Sequence, residues 1–266
     1  MKIERIAALL AKAERTDNPA EADAYLTKAQ LLATLASIDL AAARDHTEKR
    51  ETSTPISRTV SIGEKGKRAN SHLVNLFVAI AHSNSAQVDV ARDSTYVISY
   101  GLPSDLDTIE TLFASIAIQM TSQANSYISS DTWRGEKFEG RVKVAGGYRR
   151  RRLEFTAQTA RAAFYRAYVL RISERLQEGR EQAIRESDQR NQGAASGALV
   201  LAGKEKSVAD FHRRTSQARG RWGGYSGVAS SNSGSAASAG RSAASRARLA
   251  EQEGIEGGRK ELPGSA

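Results

Sequence analysis

The segment "YVISYGLPSDLDTIETLFASIAIQM", residues 96–120, changes its apolar rhythm across one Gly-Leu-Pro step, and that change limits the fold more than any other feature of the chain. Upstream of the step, "AQVDVARDSTYVISYG" reads as two short strands joined by a polar turn at Arg92 to Ser94. Downstream, Ile109, Leu112, Phe113, Ile116 and Met120 recur at the spacing of a buried helical stripe. Ser104 is the expected N-cap, with Asp105 and Asp107 placed to complement the positive end of the helix dipole. A hairpin that feeds an amphipathic helix has to pack its apolar face on that helix, so the expected fold class is α+β.

The flanking segments extend this core. "ISRTVSI" (56–62) alternates like a third strand, giving a small, mainly antiparallel sheet, and Leu73, Leu76, Phe77 and Ile80 mark a helix over 71–82. A second long helix is expected from about Phe155 to Arg190, its stripe including Ala160, Ala163, Phe164, Ala167, Tyr168, Ile172 and Leu176. Beyond Gly179 the pattern turns polar, so that end is expected to project into solvent or meet a partner. "GALVLAG" reads as a further strand and Ser207 to Thr215 as a short helix. Between the long helices, "SSDTWRGEKFEGRVKVAGGYRRRR" combines four glycines with scattered charge and reads as a mobile excursion. From Gly220 onward the chain is rich in Gly, Ser and Ala, a composition that offers little bulky surface to offset ordering entropy. A flexible tail is expected there, with at most a brief helix near Ser242 to Glu251. The resulting division is a helical hairpin over 1–45, a linker over 46–55, an α+β domain over 56–215 and a flexible tail over 216–266.

The N-terminal unit rests on two stripes. Ile3, Ile6, Leu9, Leu10 and Ala13 share one face of a first helix. Asp17 or Asn18 then offers a cap and Pro19 suits a first helical turn, so a second helix should bury Ala22, Tyr25, Leu26, Ala29, Leu32 and Ala36. The pattern "IERIAALLAKAERTDNPAEADAYLTKAQLLA" resembles the bacterial and phage family called domain of unknown function 2786. The stretches "YVISYGLPSDLDTIETLFASIAIQM" and "TARAAFYRAYVLRISERL" are similar to the uncharacterised companion domain that follows this hairpin in the same proteins. The resemblance implies the strand-turn-helix arrangement and supplies no chemistry.

Charge is distributed unevenly. Residues 1–130 hold 13 Lys/Arg against 15 Asp/Glu, whereas residues 131–266 hold 26 against 15. The basic half points to a polyanionic partner, because Lys and Arg that displace condensed counterions gain affinity without any base code. With no cysteine, thiolate metal sites, disulfides and cysteine nucleophiles are excluded. No apolar run approaches the roughly 20 residues of a membrane span, so a cytoplasmic protein with no membrane partner is expected.

Candidate chemistry is sparse. The histidines His46, His72, His82 and His212 form no metal-binding spacing, and neither a metal nor a cofactor is expected. Asp89, Asp93, Asp105 and Asp107 would make a Mg²⁺ site only by converging, and capping explains Asp105 and Asp107 without one. The loop "GEKGKRANS" (63–71) precedes a helix but lacks the phosphate-binding spacing, so it reads as a solvated turn. The strongest candidate is basic: Arg149, Arg150, Arg151 and Arg152 beside Tyr148, with Trp133, Arg134, Lys137, Arg141 and Lys143 within reach. Guanidiniums bind phosphate oxygens in pairs, and aromatic rings stack on bases. The expectation is a non-catalytic nucleic-acid-binding accessory protein. The alternatives are a hydrolase or nuclease-like enzyme with a site assembled from scattered residues, and an oligomerising scaffold, a homo-oligomer.

Overall fold

The structure is a computed structural model that describes residues 24, 27, 28, 30–38, 54–190, 196–220, 222 and 234–247. The first helix of the N-terminal hairpin, its turn at Thr16 to Pro19, Leu9, Leu10, Tyr25 and most of the linker lie outside the described residues. The fold is α+β. Helix α1 (residues 30–38) is followed by β1 (Ile56–Ser61), α2 (Asn70–Ser83), β2 (Gln87–Val90), β3 (Tyr96–Gly101) and α3 (Pro103–Ser129). Strands β4 (Lys137–Val144) and β5 (Gly147–Glu154) precede α4 (Ala157–Arg190), α5 (Gly197–Thr215) and α6 (Ser235–Ser245).

Strand β3 is central in an antiparallel sheet of order β1-β3-β2, with Val60 opposite Val97 on one side and Asp89 opposite Ile98 on the other. The turn between β2 and β3 falls where Arg92 to Ser94 place it, and Asp93 accepts from both the amide and the hydroxyl of Thr95. Phe77 and Ile80 of α2, Val97 of β3, Leu106, Ile109, Ile116 and Met120 of α3, and Phe164, Tyr168, Ile172 and Leu176 of α4 form one continuous core. Each such side chain stabilises the fold by about 1.5–3 kcal/mol relative to exposure.

Helix α3 begins differently from the expectation. Leu102 occupies the N-cap with extended backbone and Pro103 follows at the first helical position, while the exposed Ser104 lies inside the first turn. The proline ring presets the helical φ and needs no N–H partner, so it fixes the start without a side-chain cap. Asp105 stays in that first turn, at the positive end of the helix dipole as expected, and is buried. It pairs with Lys204 Nζ at 2.8 Å, and Ser37 Oγ donates to Asp105 Oδ1 at 3.3 Å.

The far end of α4 is not a free projection. Gly179, Ala183 and Ser187 recur every four residues and make a stripe of small side chains along it. A Cβ on Gly179 would stand 2.9 Å from Gln30 Cβ and 3.1 Å from the Thr27 carbonyl oxygen, so the N-terminal helix approaches α4 to backbone contact there. Leu31 and Leu35 pack on Ala183, and Gly197 approaches Ser187 and Ile38. The buried face of α1 is therefore Leu31, Leu35 and Ile38, with Leu32 and Ala36 half-buried on its flank, one step round from the expected stripe. Arg180 holds the same junction by donating to the Ser83 carbonyl at 3.2 Å, to Ser85 Oγ at 3.0 Å and to Glu205.

Two further expectations are corrected. "GALVLAG" is no strand: it opens α5, whose Ser196 caps by accepting from Ala198 N while Asp188 accepts from Gly197 N at 2.7 Å. Within the expected flexible tail, residues 235–245 form α6, docked along α4 with Ala236, Ala237, Ala243, Ala244 and Ala247 buried. Small side chains succeed here because they allow close backbone approach, so area is gained without bulk. Both ends of α6 meet the charge that its dipole favours. Glu136 Oε2 accepts from Ser235 N at 3.0 Å, and the fully buried Arg175 donates to the Ala244 carbonyl.

Candidate nucleic-acid interface

The segment expected to be mobile is an antiparallel β-hairpin, β4 paired with β5 from Lys137↔Glu154 to Val144↔Gly147. Its signal was present in the sequence: Phe138, Gly140, Val142 and Val144 alternate with Lys137, Glu139, Arg141 and Lys143, and Ala145-Gly146 supplies a two-residue turn. Gly146 has φ of 90°, a left-handed conformation that glycine adopts without strain.

The foot of this hairpin is anchored by a second small core. Trp133, Phe138, Phe155, Ala160, Ala163 and Ala236 pack together, the Phe138 and Phe155 ring centroids 4.7 Å apart. Gly140 belongs to this anchor, since a Cβ there would lie 2.6 Å from Leu153 Cδ1 and 3.1 Å from Phe138 Cε2. A two-stranded ribbon alone is at best marginally stable, and this packing supplies what the ribbon lacks.

Strand pleat sorts the basic residues onto two faces. Register places Arg149 opposite Val142 and Arg151 opposite Gly140, on the face that carries Phe138 and Leu153. The other face carries Tyr148 opposite Lys143, Arg150 opposite Arg141, and Arg152 opposite Glu139. Lys137 stands 3.6 Å from Glu154 on that face, so the charge at the foot is partly balanced. The outer half is not balanced: residues 140–151 contain five Lys/Arg and no Asp or Glu. Tyr148 is 69% exposed, and Arg149 to Arg152 are exposed along their whole run.

Two expected members stand apart from the array. Trp133 is buried at the hairpin foot, where Nε1 donates to the Ile128 carbonyl at 3.0 Å, so its ring is unavailable for stacking on bases. Arg134 lies before β4, ion-paired to Asp131 at 2.8 Å and stacked 5.0 Å over the Trp133 ring.

Elsewhere the candidate acidic residues are separately engaged. Asp107 takes Arg58 at 2.8 Å and Asp105 takes Lys204, so the four aspartates do not converge. Asp89 accepts from Tyr100 at 2.8 Å and Ser216 Oγ at 2.6 Å and lies 2.9 Å from His212 Nε2, which ties the segment 212–216 to the sheet. Burial acts to raise the Asp89 carboxyl, but the hydrogen bonds from Ser216, His212 and Tyr100 outweigh it and hold it below its ordinary value. Burial and the Asp89 carboxylate push the Tyr100 phenol up to about 12. Ser216 bonds the aspartate rather than the imidazole, which is not the order of a nucleophile relay. Among the described residues no three His, Asp or Glu side chains gather as a metal set, and no helix is long and apolar enough to cross a membrane.

Residues 2–40 match the family model described as "Protein of unknown function (DUF2786)", the family that the N-terminal pattern resembles. That match ends before β1, so the hairpin arm lies outside it. No curated protein and no solved structure matches the chain.

Proposed function

We propose that this protein is a nucleic-acid-binding accessory protein that grips phosphates with the arginine-rich β-hairpin. The observation that carries the reading is the unbalanced outer half of the arm, where five cations and an exposed tyrosine occur without one carboxylate. At about 3.4 Å per residue, the five or so residues on each strand beyond the anchored foot reach roughly 15 Å. A two-stranded ribbon also fits a B-DNA major groove about 12 Å wide. Contacts of this kind fix position and add affinity, while base readout would be slight.

The test is binding by the full-length chain to a duplex and to a single strand, compared with the variant in which Arg149, Arg150, Arg151 and Arg152 are all Gln. Both nucleic acids should bind more weakly, by a similar factor whatever their sequence, because phosphates carry no base code. Tyr148→Ala should weaken the single strand more than the duplex, by about 1–3 kcal/mol if one base stacks on the ring. Unchanged affinity in a folded four-Gln protein would refute the reading.

A further inference from the structure

A cavity of about 430 Å³ opens between the N-terminal ends of α2 and α4, lined among others by Arg68, Ser71, His72, Gln158, Arg161 and Tyr165. Its volume lies within the roughly 300–1,000 Å³ of small-ligand sites. The loop that read as a solvated turn therefore forms one wall, and α4, separated by only two residues from the end of the arginine-bearing β5, forms another.

Its electrostatics are one-sided. Helix α2 starts at Ala69 with no side-chain cap, and neither α2 nor α4 has an acidic residue in its first turn. Two positive dipole ends thus border one space, and Arg68 adds its charge at the end where a helix disfavours cations. Arg161 donates to the neutral Asn125 Oδ1 at 2.7 Å, so its charge is not cancelled. Among the described residues no carboxylate pairs with Arg68 or Arg161. Deeper in, the His72 and Tyr165 rings lie 5.1 Å apart, both buried. Burial pulls the His72 imidazole down to about 4, so near neutral pH the ring is uncharged and suited to meet another flat ring. Cations at the rim and neutral rings inside match a small ligand with an anionic group at one end and a planar group at the other.

We infer that the cavity binds a nucleoside 5′-monophosphate unit, its phosphate held by Arg68 and Arg161 at the two helix N-termini and its base set against His72 and Tyr165. The unit has two sources, a free nucleotide or the 5′-phosphorylated end of a strand lying on the hairpin, and the second source rests on the hairpin reading. A terminal phosphate carries more charge than a linking diester, which suits a site with four positive elements.

The experiment titrates the full-length protein with adenosine 5′-monophosphate and with two thymidine 12-mers, one 5′-phosphorylated and one 5′-hydroxyl. Saturable binding of the mononucleotide is expected, weakened about tenfold or more in Arg68→Gln and again in Arg161→Gln, as loss of a charge-assisted bond implies. Arg68 is exposed, so its variant keeps the test open should Arg161→Gln misfold. A tenfold preference for the phosphorylated 12-mer, lost in Arg68→Gln, assigns the strand end; mononucleotide binding without that preference assigns the free nucleotide. Absence of both overturns the inference. The four-Gln hairpin variant separates the two readings: it should lose the 5′-hydroxyl 12-mer and keep the mononucleotide, and the fate of each ligand judges its own site.

Discussion

Gly240 of α6 sits against the backbone of Phe164 in α4, where an added Cβ would fall within 3.1 Å of both the Phe164 carbonyl carbon and its Cα, and closer still to the oxygen. No side chain can rotate out of the way of a backbone atom, so α6 docks only because this position has no Cβ. Phe164 belongs to the main core and Ala236 of α6 to the core under the hairpin, so this contact couples the C-terminal helix to both.

Gly240→Ala should therefore destabilise the protein by about 1–3 kcal/mol, the usual range for overpacking. The exposed Ser238→Ala on the same helix should be nearly neutral. Thermal or denaturant unfolding of the two variants decides it. Removing residues 234–266 should likewise lower the unfolding midpoint clearly.

The Lys204–Asp105 pair ties α5 to α3 with both side chains under 10% exposed. Lys204→Met leaves a buried carboxylate without its cation and should cost about 3–5 kcal/mol. Replacing both residues, with Asp105→Leu added, should recover much of that loss, since an apolar pair needs no compensation. A double-mutant cycle by urea unfolding measures the difference.

Burial lowers the His72 imidazole from 6.5 to about 4. Between those values the unfolded chain binds a proton that the native state refuses, so stability is greatest above pH 6.5 and falls as pH drops toward 4. The loss from this group should approach about 3 kcal/mol. The Asp89 carboxyl, held below its ordinary value of 3.8, acts only at more acid pH, so the two effects separate. His72→Gln should flatten the unfolding free energy between pH 6.5 and 4.5; an unchanged slope would mean that His72 titrates normally.

The sheet, α2 and the two long helices were legible because Val97, Ile109, Phe164 and their neighbours repeat with the period of their element and bury bulky groups. What escaped was contact made through small residues. Gly179, Ala183, Ser187 and Gly240 have almost no hydropathy signature, yet they bring α1, α5 and α6 to backbone distance. Composition therefore read as a free end and a loose tail what the fold uses as close packing. The hairpin was hidden for another reason: its alternation sets arginines against valine and glycine, and the density of charge masked the period of two. The array of basic residues was visible, but its division between two faces follows from register alone.

Contact between the hairpin cations and phosphates is measured most directly by the salt dependence of binding. Log affinity of the full-length protein for a duplex should be followed against log salt for the wild type and two variants of equal net charge. One replaces Arg149, Arg150 and Arg151 by Gln; the other replaces Arg166, Arg214 and Arg219, exposed arginines elsewhere on the body. The hairpin variant should show a slope shallower by about two to three, or roughly 0.9 per lost contact, and the other variant the wild-type slope. Equal changes in both, or none in the hairpin variant, would contradict the account.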